Sequence, residues 1–311
     1  MSEAAKGFWA LVVCCLIWGL SSIYYKALMH VPPLEVLSHR TIWSLVFFGA
    51  VLALQGRLGV LWQALRGRGV LMLAFSAVMV SLNWFLFIFS VQSGQAMEAS
   101  LGYYIFPLVA VMIGVVGFRE RLRPVQVMAV VLAGSGVFVL TWGLGAAPWI
   151  ALGLAFSFGL YGMMKKWLAV GPVVSVTAEV ALLTPLAVIW LAGVYGGWWA
   201  QDEPGGWFGR DLRTSVMLAF SGLLTGGPLM LFSYAARRVQ MATVGLVQYL
   251  NPTLQFTVAA LVFGEPFTIW HRAAFGMIWA ALALYSWVTF RQPKALSSAA
   301  SSAPTSGTGI R

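Results

Sequence analysis

Three residues that could carry chemistry lie close together in one apolar stretch of the chain: Glu35, His39 and Arg40. On a helix, Glu35 and His39 share a face because they are four residues apart, whereas Arg40 points about 100° away from His39. A charge at the centre of a membrane-spanning helix costs roughly 2.5–3.5 kcal/mol, so such residues usually face a cavity or a partner. Asn83 and Glu98 fall at a similar depth, and we predict one polar cluster of all five residues.

Two interpretations of this cluster are open. In the functional one, Arg40 clamps a charged group of a substrate, and a glutamate or histidine carries a coupling proton, as an imidazole can near neutral pH. In the structural one, an ion pair fixes the second and the fourth predicted helix to each other at the membrane interface. Glu35 then caps the N-terminus of its own helix, where the helix dipole favours a carboxylate, and His39 bonds to Glu35.

Glu179, in a later apolar stretch, is a further candidate. Aligning the prolines that begin the two stretches places Glu179 opposite Arg40, which suggests a pair of opposite charges near the middle of the membrane. The alternative is that Glu179 pairs with Lys165 or Lys166 at the cytosolic face.

Aromatic and amide side chains form a second set of candidates. A cavity with aromatic walls and a few polar groups suits a flat or partly apolar solute. The chain has 15 Trp, 9 Tyr and 20 Phe, so most aromatic residues must lie in the core, at interfaces or against lipid. The candidates are Trp18, Tyr24, Trp43, Trp84, Tyr103, Tyr161, Gln248, Tyr249 and Asn251, among which Trp84, Tyr103 and Gln248 flank polar groups.

The elements that must position these residues are membrane-spanning helices. Of 311 residues, 60% are apolar and 9% are charged, against about 25% charged in soluble domains. This composition excludes an ordinary soluble enzyme and a disordered chain. A helix needs about 20 mostly apolar residues to span the membrane. Ten runs are long enough: 7–29, 34–55, 69–90, 94–118, 124–142, 148–168, 173–196, 214–237, 241–264 and 268–290.

The formal charge of +10 reflects membrane topology. The 19 Lys and Arg residues lie mostly in short gaps between the apolar runs, with no basic domain, so we expect no nucleic-acid partner. If the N-terminus is cytosolic, 14 of the 19 are cytosolic, as the positive-inside rule requires. We therefore predict that both termini are cytosolic and that residues 197–213 form an exposed loop on the other side.

Motifs of several other protein classes are absent. Cys14 and Cys15 are adjacent and poorly placed for a disulfide with each other, and no Cys/His metal spacing occurs. We find no phosphate-binding loop, no HExxH and no GxSxG motif. We therefore expect no ATP-driven step within this chain, no cofactor and no bound metal, and we do not expect an enzyme.

An internal repeat relates the two halves of the chain. The stretches Pro107…Glu120 and Pro252…Glu265 have the same spacing of 13 residues and lie 145 residues apart, and Trp18-Gly19 parallels Tyr161-Gly162. Five spans per half is an odd number, so the halves have opposite orientations, as in many transporters. We expect the two glutamates to fix helix ends. The predicted units are a first repeat (1–145), a second repeat (146–290) and a disordered cytosolic tail (291–311).

The chain resembles the RarD-like branch of the EamA drug/metabolite transporter superfamily over residues 8–290. The resemblance implies ten helices in the bacterial inner membrane and an exporter of a small metabolite. One departure is Phe106, where the family prefers Asn before the proline, so a polar group is missing from the expected cavity. The matching stretches include Trp18-Gly19, Glu35…Leu37…His39-Arg40, Asn83-Trp84, Glu98…Tyr103, Ala151…Phe158 and Gln248-Tyr249…Pro252-Thr253.

The sequence therefore predicts an all-α polytopic membrane protein of ten transmembrane helices in two inverted five-helix repeats. We predict a secondary active permease that exports an amino acid, an amphipathic metabolite or a drug-like compound by alternating access. Its expected partners are this solute, the lipid bilayer and, as a candidate coupling ion, the proton, and it is expected to be a monomer or a homodimer. The alternatives are an intramembrane enzyme that uses the Glu/His cluster and a non-transporting membrane sensor.

Overall fold

The structure, a computed structural model, describes residues 2–67, 69–118, 124–145, 147–168, 170–198, 205–236, 238–239 and 247–290. Glu120 and the predicted tail lie outside these ranges. Within them the chain forms eleven helices. They are α1 (Glu3–Ala27), α2 (Pro33–Leu54), α3 (Leu58–Arg66), α4 (Val70–Gln92), α5 (Ala96–Phe118), α6 (Pro124–Leu144), α7 (Trp149–Trp167), α8 (Pro172–Tyr195), α9 (Leu212–Ala236), α10 (Leu250–Thr257, continued by a π-helical turn over Val258–Val262) and α11 (Ile269–Phe290).

Seven helices in the described ranges are long and apolar enough to cross a membrane: α1, α2, α4, α5, α6, α8 and α9. Their outward faces carry large apolar side chains, such as Phe138 and Trp142 on α6, which are 65% and 76% exposed. Water would make so much exposed apolar surface unfavourable, whereas lipid accepts it. The chain is therefore a multi-pass membrane protein.

The helix bounds lie within four residues of the bounds of the predicted runs. The exception is run 241–264, in which the structure describes helix α10 from Leu250 onward. The short helix α3 was not predicted. Its nine residues are too few to span a bilayer. Its residues are not buried, and the Arg66 guanidinium lies over the Trp62 ring at 4.1 Å from the centroid.

Helices from the two halves of the chain pack against each other. The most extensive helix interfaces are α6–α11, α5–α7, α2–α9, α2–α8, α4–α7 and α1–α9, and each joins a helix before residue 145 to one after it. Glycines allow this close approach. A Cβ at Gly222 would lie 2.4 Å from the backbone carbon of Trp43, and one at Gly102 would lie 2.7 Å from the Ala151 carbonyl oxygen.

One end of the bundle holds the C-terminus of α1 and the N-termini of α2, α5 and α7, and is called the distal end below. At this end the chain turns at Gly264, whose φ of +66° favours glycine. The turn brings the Glu265 carboxylate to the N-terminus of α5, where it accepts the N–H groups of Ala96 and Met97 at 2.8 and 2.7 Å. The predicted role of Glu265 in fixing a helix end is thereby confirmed.

The loop before α9 was predicted to be exposed, which is wrong for part of the described portion, 205–211. Trp207 and Phe208 are half-buried and pack on His30 and His39, because their apolar rings cover the distal end of the bundle. Asp211 then begins α9. Its Oδ1 accepts the Thr214 N–H at 2.7 Å, and this bond lowers the pKa of Asp211.

Candidate binding cavity

A cavity of about 540 Å³ lies between the helices, within the range typical of small-molecule sites. Its lining extends from Arg40, near the N-terminus of α2, to Val176 and Tyr285, near the other end of the bundle. Trp18, Tyr161 and Tyr249 of the aromatic set also line it, whereas Tyr24 and Trp43 do not. The cavity brings together six predicted site residues: Arg40, Asn83, Trp84, Tyr103, Gln248 and Asn251.

Arg40 is 7% exposed and is held by neutral groups. Its Nε–H donates to the Thr225 hydroxyl at 2.8 Å, and an Nη1–H donates to the Tyr25 hydroxyl at 2.9 Å. The guanidinium lies over the Trp84 ring, 4.4 Å from the centroid. These contacts fix the plane of the guanidinium at the edge of the cavity.

Asn83 connects three helices at the wall of the cavity. Its Nδ2 donates to the Leu154 carbonyl at 3.0 Å and to the Ser157 hydroxyl at 3.2 Å on α7. Its Oδ1 accepts the Tyr103 hydroxyl of α5 at 3.0 Å. With 1% exposure, Asn83 positions α4, α5 and α7 relative to each other.

Helix α10 and the residues just before it contribute further amide groups to the lining of the cavity. Asn251 accepts a bond from Gln255 Nε2 at 3.0 Å, and Gln248 lies one turn before it. The same helix contacts α5 through the Pro252 carbonyl, which accepts the Ser100 hydroxyl at 2.9 Å. The cavity wall is thus shared by helices from both halves of the chain.

The predicted cluster of five polar residues does not form, because three of its members are engaged at the distal end, outside the cavity lining. Glu35 accepts the Trp207 N–H of the loop before α9 at 2.6 Å. It caps that loop rather than its own helix. His39 shares its face as predicted, but its Nε2 is 4.0 Å from Glu35 and its ring stacks on Phe208 at 5.0 Å between centroids.

Glu98 is likewise a helix-end residue. Its carboxylate lies close to the backbone N–H groups of Ile150 and Ala151 at the N-terminus of α7, and its Oε2 makes no hydrogen bond with the described residues. Carboxylates at helix N-termini bind free N–H groups and complement the helix dipole. Because Glu98 makes no ion pair with the described residues, the ion-pair interpretation is not met for Glu98, and Glu98 does not converge with Arg40.

The suggested pair of Arg40 and Glu179 is wrong, and the alternative partner, Lys165, is confirmed. Glu179 Oε1 lies 2.5 Å from Lys165 Nζ and accepts the Ser76 hydroxyl at 2.6 Å. Tyr161, which lines the cavity, donates to Glu179 Oε2 at 3.4 Å. Aligning the two repeats identifies residues at equivalent positions in each half. Two such residues contact each other only where they lie on the pseudo-twofold axis that relates the halves.

The contacts of Arg40 and Glu179 do correspond. Arg40 on α2 bonds a hydroxyl on α9 and a tyrosine on α1. Glu179 on α8 bonds a hydroxyl on α4 and a tyrosine on α7. The sequence analysis did not single out Thr225 or Ser76. The signal available was a lone hydroxyl within an apolar run, which is a weak one because such hydroxyls usually bond their own helix backbone.

Comparison with known proteins gives consistent matches. The EamA-like transporter family model matches residues 5–142 and again residues 146–287. The uncharacterized transporter YojE of Bacillus subtilis is 37% identical over 94% of this chain and 96% of its own length. Protein RarD of Salmonella typhimurium is 38% identical over 91% and 95%. A solved crystal structure, 19% identical, matches 94% of this chain and 99% of its own with a TM-score of 0.59, so it shares the fold.

Proposed function

Because the chain belongs to the EamA-like transporter family, we propose that it is a secondary permease that exports a small metabolite by alternating access. The proposal depends on one observation: the cavity of about 540 Å³ has walls that come from both halves of the chain. Transporters built from repeats bind their solute at the interface between the repeats. The resemblance to the RarD-like branch is confirmed by the relatives.

Two inverted five-helix repeats, with ten membrane spans, are part of the proposal. The family model matches each half separately, which supports it. The pattern of helix interfaces supports it as well. If each helix is replaced by its equivalent in the other half, the α4–α7 interface corresponds to α9–α1, and the α5–α7 interface corresponds to α10–α1. All four interfaces occur. The distribution of Lys and Arg favours cytoplasmic termini, so that the distal end faces outward.

Alternating access then requires the distal contacts to break. Three carboxylates meet backbone N–H groups there: Glu35 binds the loop before α9, Glu265 binds α5, and Glu98 lies close to the first turn of α7. Each of these contacts joins the two halves. In the proposed cycle these bonds close the outer side while the solute enters from the cytoplasm, and they open for release.

Proton coupling is assigned to Glu179 and Lys165. The predicted candidates for the proton are Glu35, His39, Glu98 and Glu179. Within the described part of the chain, Glu179 alone among them bonds a cavity-lining residue, Tyr161. A proton taken up by Glu179 would release Lys165 and alter the bond to Tyr161. Protonation of Glu179 would thus affect the cavity through Tyr161.

The test is flux into proteoliposomes with an imposed pH gradient, screened with labelled small carboxylic acids, amines and amino acids. We expect gradient-dependent flux in the wild type and gradient-independent flux in Glu179→Gln. Glu3→Gln is the matched control, because Glu3 also pairs with basic side chains but is 63% exposed. A probe that binds the protein without any flux would contradict the permease, and gradient-independent wild-type flux would contradict the proton coupling alone.

A further inference from the structure

We propose that the substrate is an organic monoanion with a flat apolar body, and that Arg40 binds its anionic group. This inference rests on the proposed permease function and names the class of solute for the same cavity. It follows from the charge of the lining, the free edge of the guanidinium and the aromatic wall beside it.

The charge of the lining is the first step. Arg40 is the one charged side chain among the described residues that line the cavity. Within the described ranges no carboxylate lies within 4.0 Å of it, since the ion pairs found there involve other residues. A buried charge without a counter-ion is strongly unfavourable in a membrane protein. A bound anion would supply the missing counter-charge.

The geometry of Arg40 is the second step. A guanidinium has five N–H donors, and Arg40 uses two of them, toward Thr225 and Tyr25. The other three make no hydrogen bond with the described residues. Because Trp84 and Tyr25 flank the guanidinium plane, its orientation is set before a ligand arrives. Arginine binds carboxylates through parallel N–H bonds, which needs such a fixed plane.

The apolar wall is the third step. Phe106 and Phe158 line the cavity with ring centroids 4.9 Å apart, and Tyr103 lies 6.2 Å from Phe158. Aromatic rings prefer edge or offset contacts with other rings, so this wall suits a flat apolar body. Phe106 adds to the apolar character at the position where the resemblance led us to expect an amide.

The same lining disfavours other charge classes. An amine would have no carboxylate partner among the described lining residues and would lie near the positive Arg40. A zwitterion would rely for its ammonium group on neutral oxygens such as those of Gln248 and Asn251. A dianion would need a second positive group. Lys165, which lies over the ring of the lining residue Tyr161, is already bonded to Glu179 and Ser175, both at 2.5 Å.

The experiment measures binding to the full-length protein in nanodiscs by calorimetry. The probes are phenyl, naphthyl and indolyl compounds that each carry one carboxylate, one ammonium group, both groups or two carboxylates. For at least one of the three aromatic groups, we expect the compound with one carboxylate to bind at least tenfold more tightly than the three compounds that carry the same aromatic group and the other charges. Arg40→Gln should weaken that binding at least tenfold, and Arg40→Lys should weaken it less, because the charge remains and the paired N–H bonds are lost.

Arg66→Gln is the matched control, because Arg66 is exposed and also stacks on a tryptophan, Trp62. It should leave the affinity unchanged. If the Arg40 variants do not fold, Thr225→Val tests the positioning of the guanidinium and should weaken binding several-fold. The wild-type probe series tests the charge class without any variant.

Amines or zwitterions that bind as tightly as the monocarboxylates would overturn the inference. So would the absence of any monocarboxylate binding, or unchanged affinity in a folded Arg40→Gln protein. Flux in proteoliposomes separates the two proposals. Monocarboxylates that bind through Arg40 but are not transported contradict the permease and leave the binding site intact, whereas transported amines contradict the monoanion and leave the permease intact.

Discussion

Arg40 and Glu179 lie in the bundle interior with different kinds of partner. Among the described residues, Arg40 is hydrogen-bonded only to neutral hydroxyls and lines the cavity, whereas Glu179 has a basic partner, Lys165, at 2.5 Å. Removing one member of a buried pair leaves the other charge unpaired, which is costly. In the proposed cycle a proton releases Glu179 from Lys165, whereas the free N–H donors of Arg40 beside the cavity are available to a ligand.

The Lys165–Glu179 pair gives the first prediction. Lys165→Met should destabilise the protein by about 3–5 kcal/mol, because Glu179 is 1% exposed and its carboxylate would be left without a cation. The double variant Lys165→Met/Glu179→Leu should recover most of this loss. The measurement is the free energy of unfolding in mixed micelles with increasing SDS. Equal stability of the single and double variants would argue against the pair.

Asn83 gives the second prediction. Asn83→Leu should lower the free energy of unfolding by about 1–3 kcal/mol, because it leaves the Tyr103 hydroxyl and the Ser157 hydroxyl of neighbouring helices without this buried partner. Tyr103→Phe removes only one of the three bonds and should cost less. The same unfolding assay compares them. A larger loss in Tyr103→Phe than in Asn83→Leu would contradict this assignment.

At the scale of the helices, the crossing of α2 and α9 depends on the absence of a side chain at Gly222. We predict that Gly222→Ala lowers stability by about 1–3 kcal/mol, because its Cβ would meet the Trp43 backbone, which cannot rotate away. Gly227 on the same helix is the matched control, since its Cβ would meet nothing within 4 Å. Gly227→Ala should be neutral or slightly stabilising, because alanine favours the helix. Similar losses in both variants would contradict the packing argument.

The start of α5 depends on a side chain from a distant part of the chain, Glu265. Replacing it with alanine should remove the bonds to the Ala96 and Met97 N–H groups, and charged hydrogen bonds of this kind contribute about 1.5–3 kcal/mol. We expect faster hydrogen exchange at these two amides, measured by mass spectrometry on peptides covering α5. Glu265→Gln keeps one acceptor and should show a smaller effect. Unchanged exchange in Glu265→Ala would show that the cap contributes nothing.

At the scale of the whole molecule, the cavity exists because helices from both halves surround it, and we propose that the distal contacts close its outer end. In the proposed cycle the two halves must separate at that end. Gln95 and Pro266 are exposed residues beside the Glu265 contact, one from each half. A short cross-link between them would hold the distal end closed.

We therefore predict that Gln95→Cys/Pro266→Cys, joined by a short bismaleimide in a background with Cys14 and Cys15 replaced by alanine, stops flux in proteoliposomes. Binding of the monocarboxylate probe in nanodiscs should persist, because the cavity itself is unchanged. Each single-cysteine variant treated with the reagent should keep its flux. Continued flux in the fully cross-linked protein would contradict alternating access at this end.

Much of the fold could be predicted from the sequence, because the signals are local. The length of each apolar run determines where a helix can span the membrane, and prolines such as Pro33 and Pro172 begin helices at their first turn. The depth of Arg40 and Glu179 in their helices follows from the same counting. These properties need only the residues within about 20 positions of each other.

The partners of the polar residues were decided by the tertiary structure. Arg40 bonds Thr225, 185 positions away, and Glu35 bonds a backbone N–H 172 positions away that has no side-chain signal. Such contacts depend on the rotation and crossing of whole helices, which close packing at positions such as Gly222 controls. Spacing along a helix places a side chain on a face, but only the packing of that face determines whether it meets a carboxylate, a hydroxyl or an open cavity.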